Sequence, residues 1–156
     1  MLFDLHFIFQ KKACRIVAHT TNSHILIILR FHPDSLMNSY FNISVDASKV
    51  NTGIGLRDRH LRNEDYFAVK SYPELMFSSA KISRTPVANT FILTGDLQIK
   101  GIAKALTFPL TMEKMGNEYL FFAKFNINRK DFAVGGNHFF MGDDVEVNVK
   151  LSVFQN

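Results

Sequence analysis

Tryptophan is absent from this chain, cysteine occurs once in 156 residues, and no glycine precedes Gly53. The lone thiol, Cys14, excludes an intramolecular disulfide and any multi-cysteine metal site, and leaves the redox compartment unspecified. No apolar run reaches the roughly 18 residues that a helix needs to cross a bilayer. The opening MLFDLHFIFQ is apolar, yet it carries Asp4, lacks a basic leader and is followed by Lys11 and Lys12, so no export signal is read in the chain as written. Missing early glycine is unusual for a protein that makes tight hairpins. Residues 1–30 offer only two apolar runs, Leu5–Phe9 and Ile25–Leu29, around a weakly patterned middle.

A concentrated field of one sign is also missing. The net charge of +4 comes from 18 basic and 14 acidic side chains, and acids interleave with the bases around Arg57–Asp65. Nucleic-acid binding calls for a gathered basic stripe, so no such partner is expected. His19, His24 and His32 have no metal-ligand spacing, and the Asp143-Asp144 pair reads as a turn, so no metal site is expected either.

What is present is bulk. Hydrophobic residues make up 47% of the chain and sixteen are phenylalanine, a composition suited to sheet rather than to a Leu/Ala-rich helical bundle. At 17.8 kDa the chain suits one domain spanning residues 1–156. Phe41, Ile43, Val45 and Ala47 alternate with Asn42, Ser44 and Asp46, the period of a strand wet on one face. Leu75–Ile82 is a second strand. Phe91, Leu93, Leu97 and Ile99 share one parity in a third, with Gly95 marking a bulge or a close approach. Leu106–Met112 and Tyr119–Ile127 flank a Gly116-Asn117 hairpin turn, and Val145–Val153 supplies the last inward row.

Between the first two strands lies a segment of another kind. Thr52-Gly53 and Gly55 interrupt the sheet pattern, Leu56–Arg62 fits about two helical turns, and Pro73 ends the insertion. Its pattern places Leu56, His60 and Leu61 on one side and Arg57, Asp58, Arg59 and Arg62 outside, which suits a short lid on one barrel end. One such helix cannot cover so many strands with a continuous apolar face. The meander is therefore expected to close on itself as an all-β, antiparallel, lipocalin-like barrel of about eight strands, wide enough for one small ligand.

These residues resemble the YceI-like lipid/polyisoprenoid-binding family of bacteria. Thr52-Gly53, Arg57-Asp58, His60-Leu61, Tyr66-Phe67, Tyr72-Pro73, Phe77 and Ser79 follow the order and spacing of its central motif. Thr94-Gly95-Asp96-Leu97, Ile99-Lys100-Gly101 and Leu106-Thr107-Phe108 match a second block, and Asn128-Arg129-Lys130-Asp131-Phe132 with Asp144-Val145-Glu146-Val147 a third. The likeness runs from about Phe31 to Val153; residues 1–30 lack the glycine-punctuated strands with which the family opens. The resemblance implies a barrel enclosing an isoprenoid or other elongated lipid, with no cofactor besides that ligand. It also implies a periplasmic or secreted protein, or a cytoplasmic one if the start as written is the natural one.

By parity the expected ligand-facing residues are Phe77, Phe91, Leu97, Ile99, Phe108, Leu110, Phe121 and Phe125. Arg57, Asp58, His60, Asn128, Arg129 and Asp131 are expected to be structural. Asp58, His60 and Ser78 or Ser79 do not make a nucleophilic triad, because i and i+2 point apart on a helix and no strained, glycine-flanked serine is present. No catalytic residue is expected. Asn128–Asp131 reads as a polar corner in which Arg129 reaches a carboxylate across the barrel end. Phe139-Phe140-Met141, between Gly136 and Gly142, plugs a barrel end, opens a lipid portal or forms a homodimer contact. The alternatives to lipid carriage are an enzyme acting on an isoprenoid-like lipid and a filled barrel serving as an interaction module. An isoprenoid of roughly 40 carbons would bind no more tightly than about 12 kcal/mol.

Overall fold

Strict alternation over most of the chain becomes strand. The computed structural model describes residues 2–10, 16–19, 25–136 and 142–154, with side chains described for 25–136 and 142–153. In chain order come β1 (Leu2–Gln10), β2 (Ile16–His19), β3 (Ile25–Arg30), β4 (Tyr40–Asp46), α1 (Gly55–Leu61), β5 (Glu74–Arg84), β6 (Thr90–Ile99), β7 (Ile102–Met115), β8 (Glu118–Asn128) and β9 (Asp144–Phe154). Short 3-10 turns occupy Leu36–Asn38, Ala47–Lys49 and Arg129–Phe132.

All nine strands join one sheet, and β2 through β9 pair in sequence as an antiparallel meander. The expected count of about eight becomes nine among the described residues. In an up-and-down array of odd number the first and last strands run the same way. Accordingly β1 lies parallel to β9, from Leu2 opposite Glu146 to Gln10 opposite Phe154. β1 and β2 are the two edges of this order and share no ladder, so the sheet is curled and not closed by hydrogen bonds among the described residues. This parallel edge strand comes from the stretch whose pattern is least readable.

The irregularity near Gly95 belongs to its neighbour. Ser79 pairs with Gly95 while Lys81 pairs with Thr94, so Ala80 is the extra residue and the bulge lies in β5. This explains why Phe77 and Ile82, five residues apart, both face the core. Gly95 supplies the close approach: a Cβ there would stand 2.4 Å from the Ser78 carbonyl oxygen and 2.7 Å from the Phe77 ring. Ser79 Oγ accepts the Phe41 N–H at 2.8 Å, which gives that serine a structural task beside the bulge.

One end of the barrel is packed solid. The Phe31 ring meets Phe91 and Phe121 edge-on at 5.2 and 5.1 Å, and Phe41 meets Phe121 at 5.4 Å. Leu36 packs against this group, and the Arg84 guanidinium donates to the Pro33 carbonyl, tying the end of β5 to the β3–β4 connection.

Candidate functional site

The other end is not filled. A cavity of about 610 Å³ runs from the phenylalanine plug toward the ends of β4 and β8 and the start of β9. Its walls are the inward rows of the strands. Phe77, Leu97, Ile99, Phe108, Leu110, Phe121 and Phe125 line it, with Phe108 and Phe125 stacked at 4.3 Å and Phe77 tilted against Phe108 at 5.5 Å. Leu97 and Phe125 are only half-buried because they face this space. Phe91 differs: it is buried in the plug against Phe31 and does not line the cavity, so its place among the ligand-facing residues is corrected. Inward parity puts a side chain inside a barrel but does not say at which height, and Phe91 begins its strand at the packed end.

Among the described residues, polar groups collect at the open end only. Asp46, Lys49, Asn51, Arg129 and Asp144 line the cavity there, with Lys49 and Asn51 exposed on one side and Gly142 and Asp144 on the other. The segment carrying Lys49 is tied down from α1's end: Arg62 donates to the Ser48 carbonyl at 2.6 Å and to the Val50 carbonyl at 2.9 Å. The Asp46 side chain accepts the Ser48 N–H at 2.8 Å. Helical spacing puts Arg62 outward and carries no sign of the Ser48 and Val50 carbonyls that it holds.

Helix α1 is turned from its expected orientation. Asp58 and Leu61 face inward, with Asp58 only 7% exposed, whereas Leu56 is 70% exposed and His60 is also on the surface. The cause is Thr52. Asp58 Oδ1 accepts both the Thr52 N–H at 2.7 Å and its hydroxyl at 2.5 Å. Arg57 completes the clasp by donating to Thr52 Oγ1 at 2.8 Å and to the Thr52 carbonyl at 3.0 Å. The Thr52 hydroxyl bond holds the Asp58 carboxyl below the usual carboxylate range against the opposing effect of burial, helped by the Thr52 N–H and the charges of Arg62 and Arg57. His60 does not pack in the core; its ring lies 6.3 Å from that of Tyr66.

The polar corner is built around a buried cation. Arg129, 4% exposed, donates to the carbonyls of Val134 (2.7 Å), Gly136 (2.9 Å) and Gly142 (3.1 Å) and to Asp143 Oδ1 (2.8 Å). Lys130 reaches the other Asp143 oxygen at 2.7 Å, and this bond, followed by the charges of Lys130 and Arg129, lowers the Asp143 carboxyl pKa. Asn128 accepts the Lys130 N–H at 2.9 Å and donates to Asp144, starting the turn. Asp131 sits exposed in that turn, so the carboxylate that Arg129 finds is Asp143, fourteen residues on. Sequence spacing marked Asp143 only as a turn residue. Phe132 and Val134 are buried beneath the corner against Ile99, with Tyr66 and Phe67 packed on them, joining the corner to the insertion.

Among the described residues, no three His, Cys, Asp or Glu side chains are placed to hold a metal ion. No helix is long and apolar enough to cross a membrane among those residues. Phe139, Phe140 and Met141 lie outside the described residues. The arrangement is thus an apolar tube with a packed floor and a polar rim, in which Arg57, Asp58, Arg62 and Arg129 are committed to holding backbone.

A family model described as the YceI-like domain matches residues 14–153. A UPF0312 protein of Photorhabdus laumondii is 33% identical over 75 residues, covering 48% of this chain and 37% of that protein. A UPF0312 protein of Pseudomonas putida is 32% identical over 111 residues, covering 66% and 57%. Protein YceI of Escherichia coli is 27% identical over 77 residues, covering 49% and 39%. The chain thus spans 37% to 57% of the length of these relatives. Among solved structures, BcnA of Burkholderia cenocepacia superposes with a TM-score of 0.77 at 24% identity over 82% of each chain. The Campylobacter jejuni YCEI protein gives 0.77 at 20% identity over 99% of this chain and 91% of that one, a likeness of fold. The matched span holds the cavity walls, the Thr52 clasp and the Arg129 corner, and on that ground the chain belongs to the YceI-like family.

Proposed function

We propose that this protein binds an elongated apolar lipid, an isoprenoid or another long-chain molecule, with its tail in the barrel and its polar end at the rim. The observation that carries the reading is the one-ended cavity, which among the described residues is apolar to its floor and polar only at its mouth. Such a polarity gradient matches an amphiphile in one direction. The tail would lie against Phe77, Leu97, Ile99, Phe108, Leu110, Phe121 and Phe125, and family membership supports the same ligand class. The clasps at Asp58 and Arg129 serve the rim's architecture in this reading, and no group is assigned to chemistry.

The volume sets a scale. Taking about 30 Å³ per one-centre group, the share of a water in its liquid, the 610 Å³ holds on the order of twenty heavy atoms. A chain of roughly 40 carbons would leave about half its length outside. At about 0.3 kcal/mol per atom the enclosed part contributes about 6 kcal/mol, which corresponds to tens of micromolar.

Organic extraction of purified protein followed by mass spectrometry identifies what is carried. The site itself is tested with Ala123→Phe, since Ala123 is buried and lines the cavity. The larger ring occupies ligand space, so affinity for a long-chain fluorescent probe is expected to fall at least about tenfold, with folding checked by thermal melting. An Ala123→Phe protein that is folded and binds the probe as wild type does would place the ligand elsewhere.

A further inference from the structure

The rim around the mouth carries apolar side chains that the fold does not use. Ile54 is 53% exposed and Leu56 is 70% exposed, although both lie between Asn51 and Leu61, which line the cavity. Local stability does not explain them. Ile54 occupies the N-cap of α1 and offers no side-chain cap, where Ser, Thr, Asp or Asn would bond the free N–H groups. The flanking Gly53 and Gly55 have no side chains to cover them, and a Cβ at either would meet nothing within 4 Å. Two large aliphatic groups therefore project from the edge of a cavity suited to lipid.

The segment that bears them is cationic, while Asp46 and Asp144 are the carboxylates that line the cavity mouth among the described residues. Lys49, Arg57, Arg59 and Arg62 belong to the same segment, and its one carboxylate, Asp58, is turned inward on Thr52. Arg57 and Arg62 have their guanidinium groups on backbone and Thr52, while Arg59 is exposed on α1. The next acids, Glu64 and Asp65, lie past the helix, where the Asp65 carbonyl accepts the Gly135 N–H at 2.7 Å on the corner side. Exposed aliphatic groups beside cations are what a surface needs to lie in the headgroup layer of an anionic membrane.

We propose that this rim, with Ile54 and Leu56 as apolar anchors and Arg59 as their cation, docks the barrel mouth-down on an anionic phospholipid bilayer. Docking in this orientation puts the cavity opening against the lipid, so a tail passes between membrane and barrel without crossing water. The inference rests on the lipid-binding reading for its purpose, but the surface is measured separately from the cavity.

The experiment sediments the full chain with phosphatidylcholine vesicles, with or without about 30% phosphatidylglycerol, over a salt series. Wild type is expected to partition to the anionic vesicles and to leave them at high salt. Ile54→Ser with Leu56→Ser should lower the partition coefficient at least about tenfold. Arg59→Glu should lower it by about twentyfold, attraction having become repulsion. Met37→Ser and Met115→Ser, exposed at the opposite end, should leave it unchanged. Probe affinity in vesicle-free solution should be the same in all of these proteins, because none of the substituted residues lines the cavity. Absence of vesicle binding by wild type, equal binding to neutral vesicles, or loss of binding in the Met variants instead would overturn the proposal. Vesicle binding with this pattern but no probe binding would uphold the docking surface and defeat the lipid-site reading, so the two failures are distinguishable.

Discussion

The two ends of the barrel solve closure with different chemistry. At the packed end, Phe31, Phe41, Phe91 and Phe121 fill the interior with rings, and the connections are short. At the open end the β4–β5 and β8–β9 connections are long, and charged side chains on them hold the backbone at the cavity rim. Filling with apolar side chains gives the larger stabilisation per residue, but it consumes the volume a ligand needs. Clasps such as Thr52–Asp58 and Arg129–Asp143 order a rim while leaving 610 Å³ clear beside them. The difference teaches that in this barrel polar groups mark where space is kept, and aromatic groups where it is given up.

The comparison breaks first at the packed end. Phe91→Ala should lower the free energy of unfolding in urea by about 3–5 kcal/mol, the cost of truncating a buried ring. Probe affinity of the folded fraction should not change, because Phe91 is outside the cavity. A matching loss of affinity would mean that plug and cavity are one unit.

At the rim, Arg129→Lys keeps the charge but loses the fork that reaches Val134, Gly136, Gly142 and Asp143 together. A loss of about 2–3 kcal/mol in the same urea assay is expected. Wild-type stability in that variant would show that the corner is held by packing on Phe132 alone.

Acid separates the ends without changing their packing. Asp58 and Asp143 have carboxyl pKa values lowered in the folded protein, by the Thr52 hydroxyl and by Lys130 respectively. Their contribution is therefore present above the unfolded carboxylate value of about 4 and is lost as pH falls through the lower folded value. Denaturation curves between about pH 5 and 2 should be steeper in pH for wild type than for Asp58→Asn or Asp143→Asn, and Phe91→Ala should keep the wild-type slope. Identical slopes in all four proteins would remove the clasps from the account of the rim. The smallest effect is expected at Met115, exposed beside the Gly116-Asn117 turn: Met115→Lys should shift stability by no more than about 0.5 kcal/mol.

Strands β4 to β9 were legible because each has one face in the core, which stamps a period of two on consecutive residues. The Gly116-Asn117 turn was legible because its chemistry is local. The bulge was half-visible: Gly95 signalled a close approach, while the inserted Ala80 lay across the ladder in β5. In α1 apolar periodicity pointed to Leu56 and His60, and the face was set instead by Thr52 capturing Asp58 across the preceding loop. Arg129 was recognised as a corner residue, but Asp143 was identified as its partner only in space.

Taken alone, the sequence determined the meander, its inward rows and its ring-rich core, since side chains alternate in a strand whatever lies opposite. Tertiary structure alone decided that the first described strand pairs in parallel with the last, that Phe91 falls in the floor and Phe125 in the wall, and that α1 turns Leu56 outward. Those outcomes depend on segments distant in the chain meeting at a particular height and angle, and a local period of two carries no record of either.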